Sequence, residues 1–440
     1  MTNSADYIFL EIIAENRKGL AKGIYSICSS NRDVLEACFK QAVDDDSIIL
    51  IESTSNQVNQ FGGYTGMTPA DFVGYVQSIR TQTGFPAAKL LLGGDHLGPN
   101  AWQSMPAKEA MSRAMDLIAD YVKAGYRKIH LDTSMFCLDD TGDRSKPLSS
   151  DIVASRTISL CKVAEETCKK YFTHDPDLFY IIGTEVPVPG GARSKEEAVN
   201  ATDSNDVTAT IDVFKKHFRE AGMSGAWNRV KALVVQPGVE FGDDQVFSYK
   251  RTSHELSKQI LKYKGLIYEA HSTDYQSEDC LKALVEDHFG ILKVGPWLTF
   301  SYRESLFALE ARELEILGKN HPDLSNLSTT LERIMINNPK YWEPYYHGDE
   351  NEKSFKRKFS FSDRSRYYWP NSEVEDAKKK LYANLTKNRI PLSLLSQFMP
   401  EEFYHVSAGH IPVHPQDLVY SHIRRVAGIY ARACGLTSQR

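Results

Sequence analysis

Side chains able to hold a metal, a proton or a sugar hydroxyl recur at one kind of place in this 440-residue chain, the end of a short apolar run. Glu52 closes such a run in IESTSNQ. Asp95 and His96 stand in LLGGDHLGPN, and Asp132 in IHLDTS, with Ser134 two residues on. Glu185 lies in IIGTEVPVPGG, Gln236 in VVQPG, Glu269 and His271 in YEAHSTDY with Ser272 and Asp274 behind them, and Lys293 in LKVGP. One such residue is commonly a helix cap or a hydrogen-bonded core group. A whole series is costly as decoration, because buried charges need partners. Together they predict one shared polar site.

Imidazoles and carboxylates converging from different segments form a donor set for a divalent ion. His96, Glu185 and His271 supply three ligands and leave an open position, the pattern of catalytic zinc. Zn²⁺ is the first choice because imidazole suits it, and an amide ligand at Gln236 would tilt the site toward Mn²⁺ or similar ions. Asp95 is expected to point away from the ion that His96 holds, because neighbours at a strand end diverge. It is therefore read as a general acid/base beside the substrate, with Glu185 and Asp132 as further acid/base candidates. Lys293 admits two readings, a Schiff-base nucleophile or the ion-pair partner of Glu52 or Glu185, and the partner role is preferred.

The elements that position these residues follow from periodicity. Strands are expected at 23–28, 47–52, 89–94, 127–132, 179–185, 230–236, 266–271 and 291–295. Helical stretches such as 107–124, 151–171 and 278–287 lie between them. Such alternation means βαβ units and a parallel sheet. Eight units predict a closed (β/α)8 TIM barrel, whose reactive face is the carboxyl end of its strands. The open doubly wound sheet is the alternative, but no GxGxxG follows the first strand. The barrel is expected to span 1–313, and a charged, aromatic-rich helical domain to span 314–440. Within that domain 360–370, SFSDRSRYYWP, is read first as a solvated helix. A reach over the barrel mouth and a subunit contact are the rival readings. QFGGYTGMT at 60–68 is read equally as a tight turn or as an amide cradle for an anion or a sugar hydroxyl. PVPGG at 187–191 is read as a lid.

Composition excludes other classes. Hydrophobic content of 42% and charge of 25% are ordinary for a globular chain. A net charge of −5 leaves no basic footprint for nucleic acid. No apolar run approaches the ~20 residues of a membrane helix, and the first twenty residues do not read as a targeting peptide. The seven cysteines are odd in number and show no CxxC spacing, as expected of free thiols in the cytoplasm.

The motifs IESTSNQVNQFGGYTGMTPADF, LLGGDHLGPNAWQ, IHLDTSM, IGTEVPVPGG, VVQPGVEF, YEAHSTDYQ, LKVGPWLTF and SDRSRYYWP resemble the accessory, Z-type subunit family of class II D-tagatose-1,6-bisphosphate aldolase. The likeness runs along nearly the whole chain. It implies a barrel of the class II aldolase type and a role in supporting a catalytic aldolase subunit in ketose catabolism; a homo-oligomer is expected besides. The older description of this family as a tagatose-6-phosphate kinase finds no Gly-rich kinase loop here. Catalytic class II aldolases use Zn²⁺ to stabilise an enediolate and an Asp at the C4 hydroxyl. By resemblance, Asp95 is that acid/base, His96 the first metal ligand, His271 the ligand from strand seven, and Glu185 an acidic neighbour of the ion. Two departures stand out. Gln236 replaces a second metal histidine, and Ser272–Thr273–Asp274 replaces a Gly-rich phosphate loop, with Asp274 repelling phosphate. Glu52, Ser134, Lys293, Ser272 and Asp274 are the candidates for contact with substrate. The expected function is that of an aldolase subunit. The alternative is a stand-alone metal-dependent fructose/tagatose 4-epimerase working by retro-aldol and aldol steps.

Overall fold

A computed structural model describes residues 4–172, 178–184, 199–251 and 254–437. Eight parallel strands close into a barrel. We label them β1 (Ile24–Ile27), β2 (Ile49–Thr54), β3 (Leu90–Leu97), β4 (Lys128–Leu131), β5 (Phe179–Ile182), β6 (Val230–Val234), β7 (Ile267–Ala270) and β8 (Phe289–Val294). Neighbours in sequence are neighbours in the wall, and β1 pairs with β8. All eight expected strands are present, and the helices Ala107–Ala124, Ser150–Tyr171 and Glu278–Glu286 stand where periodicity placed them.

Alternate residues of each strand point inward, and they sort by height. Leu50, Leu91, Phe179, Ile181, Ile267 and Ile291 form an apolar floor. The helix Ala5–Arg17 plugs it from below with Phe9, Ile12 and Ile13, and the Phe9 and Phe179 rings are 5.2 Å apart. One step up stand Glu52, Gly93, Lys128, Glu269 and Lys293, four buried charged side chains and one glycine. The odd-looking glycine is required there. A Cβ on Gly93 would lie 2.6 Å from Glu52 Oε1, so its absence makes room for the carboxylate.

The helix Pro296–Leu317 follows β8, and the expected domain boundary at 313/314 falls inside it. The outer wall is completed from far along the chain. The helix Pro415–Ala433 packs between Glu278–Glu286 and Arg32–Asp44, against β1, in the place of an eighth barrel helix. Pro296–Leu317 lies outside it. The Tyr430 hydroxyl donates to the Thr273 carbonyl at 2.7 Å, and the Gly23 amide donates to the Cys434 carbonyl at 3.0 Å. Residues 360–370 are not a solvated helix. They form a mostly buried turn around a short 3-10 segment, Arg364–Tyr367, that reaches the barrel mouth. Aromatic stacking explains the burial, since Tyr367 lies 4.8 Å from Tyr341 and 4.7 Å from Tyr64, centroid to centroid. Among the described residues no helix is long and apolar enough to cross a membrane.

One buried histidine ties the tail together. His422 Nδ1 is 3.0 Å from Glu402 Oε1, and its Nε2 is 3.5 Å from Glu304 Oε2, joining three helices. Burial opposes protonation, and Arg425 adds to that, but the two glutamates outweigh both and raise the imidazole to about 9. A group raised from near 6.5 stabilises the fold fully below pH 6.5 and loses that contribution as pH climbs through 9. His422→Gln is therefore expected to cost about 2–3 kcal/mol at pH 6 and far less at pH 9.5. Thermal melts of both proteins across that range would show the gap closing. A gap that stayed constant with pH would remove the titration argument.

Candidate active site at the barrel mouth

The site is built on two buried lysines. Lys128 Nζ lies 2.6 Å from Glu52 Oε1 and 2.7 Å from Glu269 Oε2, ion contacts rather than aligned hydrogen bonds. Lys293 Nζ touches Glu52 Oε2 and lies 2.9 Å from Asp95 Oδ1 and 3.4 Å from Glu269 Oε1. Burial alone would strip the proton from Lys293, but Asp95, Glu269 and Glu52 hold its ammonium well above the usual lysine range. With three carboxylates around its ammonium, Lys293 has the geometry of an ion-pair partner. The same contacts outweigh burial at Asp95 and Glu269 and keep both carboxylates well below their ordinary range.

Above this layer three imidazoles meet. Ring centroids are 4.9 Å apart for His96 and His271, 5.3 Å for His96 and His130, and 5.5 Å for His130 and His271. His96 Nδ1 is 2.8 Å from Asp132 Oδ2, which leaves Nε2 to face the cluster. The Asp132 carboxylate also accepts from the Ser134 amide and hydroxyl, at 3.1 and 2.6 Å. A carboxylate that orients a histidine in this way is the usual partner of a ligating imidazole. His130 Nδ1 is 2.8 Å from Asp95 Oδ1, and His271 Nε2 is 3.2 Å from Glu269 Oε1. Burial pushes His271 down to about 4, so its ring is neutral, as a metal ligand must be.

A bulge in β3 sets this geometry. Gly94 pairs with Ile129, and the next pairing is Leu97 with Leu131. The extra residue turns His96 into the left-handed region, at φ 48°. Bulges re-aim side chains, so Asp95 and His96 do not diverge as the sequence suggested. His96 Nε2 sits 3.7 Å from Asp95 Oδ2. Just beyond, the chain passes so close to β4 that a Cβ on Gly98 would fall 1.7 Å from the Asp132 carbonyl oxygen.

Among the described residues, Asp95, His130, Glu269 and His271 offer ligand atoms all within 4.8 Å of one another. His130 Nε2 is buried without a hydrogen-bond partner. This donor set, with His96 beside it, fits a divalent metal. Sequence reasoning missed Lys128 and His130. Their signal was the strand period, since 128, 130 and 132 share one face of β4. Gln236 is not brought to the cluster, because its amide oxygen accepts from the Gly238 and Val239 amides of its own loop, at 2.9 and 3.1 Å. Glu185 and the expected lid at 187–191 lie outside the described residues.

Asp95, His96, His271 and Lys293 line one cleft with Ser272, Asp274, Tyr64 and Arg366, whereas Glu52 lies beneath it. Asp274 Oδ1 accepts from the Gly295 and Trp297 amides, at 3.0 and 2.8 Å. Burial raises its carboxyl to about 6, even though those amides and Arg366 favour the charged form. In 60–68 the amides of Phe61 and Gly63 are taken by Asn59 Oδ1, and that of Tyr64 by the Asn56 carbonyl. That loop is a self-bonded turn which presents Tyr64, not an amide cradle.

The comparisons with known proteins agree along the chain. A crystal structure of a probable tagatose 6 phosphate kinase from Sinorhizobium meliloti 1021 is 40% identical, with a TM-score of 0.85, covering 94% of this chain and 100% of that one. Aldolases are among the other structures that match, at 11% identity. The YdjI aldolase from Escherichia coli K12 covers 88% of this chain and 99% of its own, with a TM-score of 0.39. The Campylobacter jejuni fructose-bisphosphate aldolase covers 88% and 96%, with a TM-score of 0.43. At those scores neither carries weight. The profile of one family matches residues 9–435, nearly the whole sequence. The chain therefore belongs to the D-tagatose-1,6-bisphosphate aldolase subunit family, GatZ/KbaZ-like.

Proposed function

We propose that this chain acts as a subunit of D-tagatose-1,6-bisphosphate aldolase and that its barrel mouth is a metal-centred ketose site. The observation that carries this reading is the meeting of His96, His130, His271 and Asp95 at the carboxyl end of a barrel whose sequence matches that family. His96, His130 and His271 would hold the ion, with Glu269 or Glu185 completing the set. Zn²⁺ is the preferred occupant now that Gln236 is engaged elsewhere. The ion would supply Lewis-acid polarisation of a ketose carbonyl. Asp132 orients His96, and Ser134 holds Asp132 in turn. Asp95, kept ionised by Lys293 and His130, is the group suited to accept a proton from a sugar hydroxyl. Ser272 and Asp274 contact the far end of the substrate. Glu52 and Lys293 set the charge beneath it. The chain works in the cytoplasm as a homo-oligomer beside a catalytic aldolase subunit, and none of its seven cysteines is in a disulfide.

The test is reconstitution. Mixing or co-expressing the chain with a catalytic class II aldolase subunit is expected to raise cleavage of D-tagatose 1,6-bisphosphate or the lifetime of that activity. No effect in either format would sink the subunit reading. Interconversion of fructose and tagatose by the isolated chain, without such an effect, would put the epimerase in its place.

A further inference from the structure

We propose that Tyr367, brought to the barrel mouth by the tail, is a catalytic acid whose hydroxyl supplies the proton that a ketose fragment must gain at carbon when its C–C bond is cleaved. The assignment rests on the reading of the mouth as a ketose site. Tyr367 lines the same cleft as Asp95, His96 and His271, and that cleft holds about 110 Å³. A ligand filling so small a space is within reach of every wall. The ring is clamped in place. It stacks on Tyr341 at 4.8 Å with 11° between the planes, and it meets Tyr64 edge-on at 4.7 Å.

Its hydroxyl is bonded unlike those of the structural tyrosines. Tyr268, Tyr275, Tyr368 and Tyr430 each donate to a backbone carbonyl, at 2.8, 2.6, 2.6 and 2.7 Å. The Tyr367 oxygen instead accepts, from Arg366 Nη2 at 3.0 Å and Arg364 Nη1 at 3.4 Å. A guanidinium has no acceptor to offer in return. Among the described residues the Tyr367 proton therefore has no partner, and the cleft is where an acceptor can stand. The two cations also favour the phenolate. Burial opposes ionisation, but Arg366 and Arg364 outweigh it and hold Tyr367 below the usual tyrosine range. Tyr64 beside it is raised, by burial and by Tyr367 itself. Tyr341 faces the ring, and Asp363 and Asp274 act on Arg366.

The protons balance. Asp95 takes the proton of the sugar hydroxyl, and that oxygen becomes the carbonyl of the leaving aldehyde. The C–C bond breaks, and its electron pair stays on the ketose fragment as an enediolate. The fragment's carbon takes the Tyr367 proton and becomes a ketone. Arg366 and Arg364 hold the phenolate until it recovers, through water, the proton that Asp95 took.

The experiment is deuterium exchange into dihydroxyacetone phosphate, the three-carbon ketone that cleavage of a ketose 1,6-bisphosphate leaves, on the metal-loaded full chain in deuterium oxide. The wild type is expected to catalyse exchange, with a rate that rises with pH as the phenol ionises and can act as the base. Tyr367→Phe keeps the stacked ring and is expected to lose about 10²–10⁴-fold in exchange rate, while its affinity for the ligand falls by no more than about tenfold, the worth of one hydrogen bond. Arg366→Met is expected to move the pH profile upward, because a cation that favours the phenolate is gone, and it tests the assignment even if the phenylalanine variant does not fold. Wild-type exchange that persists in Tyr367→Phe, or a profile unmoved in Arg366→Met, would overturn the proposal and leave the ketose site standing. Absence of exchange in the wild type would also overturn it, and the subunit role would still be decided by reconstitution.

Discussion

A chain ended at residue 413 is expected to lose its fold and not only its tail. The helix Pro415–Ala433 buries Leu418, Val419, Ile423, Val426 and Tyr430. Each fully buried side chain of this size contributes about 1.5–3 kcal/mol, so five contribute on the order of 10 kcal/mol. Net stabilities of folded domains are about 5–15 kcal/mol. The helix also stands in the barrel wall, so its removal exposes β1 and the flanks of Arg32–Asp44 and Glu278–Glu286 to water. The truncated protein should be found in inclusion bodies, or soluble only without near-ultraviolet dichroism or a cooperative melt. A soluble truncation with the wild-type melting curve would show that the wall closes without this helix.

His130→Ala is expected to deplete the purified protein of divalent metal, while Gln236→Ala leaves the content unchanged. The contrast follows from position. His130 Nε2 is buried and unpartnered between two other imidazoles, whereas the Gln236 amide oxygen already serves two backbone amides. Structural zinc sites bind with apparent energies of about 10–16 kcal/mol, so losing one of four ligands should weaken binding by several kcal/mol. His96→Ala and His271→Ala should behave like His130→Ala. Asp132→Asn should act more mildly, by about 10–100-fold in affinity, because it removes an orienting group rather than a ligand. Elemental analysis and competition with a chelator measure all five. Full metal in His130→Ala with loss in Gln236→Ala would move the centre to the β6 side of the mouth.

The barrel was legible because its strands repeat one message, a short apolar run followed by a helical period, eight times over. The mouth was legible where a reactive residue closes such a run, as Asp95, His96, Asp132 and His271 do. Lys128 and His130 escaped because they sit inside a strand, where a charged or imidazole side chain reads as an interruption. Only the two-residue period of β4, set against the apolar outward Ile129 and Leu131, shows that they point into the barrel. The bulge at His96 left no such trace, since a left-handed histidine is fixed by pairing across to β4 and not by local propensity. The role of residues 360–370 was also hidden. Their burial depends on Tyr64 and Tyr341, which no local pattern links to Tyr367.

The wall helix has a consequence for how the molecule is made. β1 leaves the ribosome about 390 residues before the helix that covers it. At roughly 5–20 residues per second that interval is about 20–80 s. Contacts so distant in sequence also fold slowly, because the loop must close before they reward it. Throughout synthesis the nascent barrel therefore carries an open apolar seam beside β1, a surface suited to chaperone capture and to pairing with another unfinished chain. Yield in the cell should depend on translation rate and holdase supply more steeply than the stability of the finished protein would indicate.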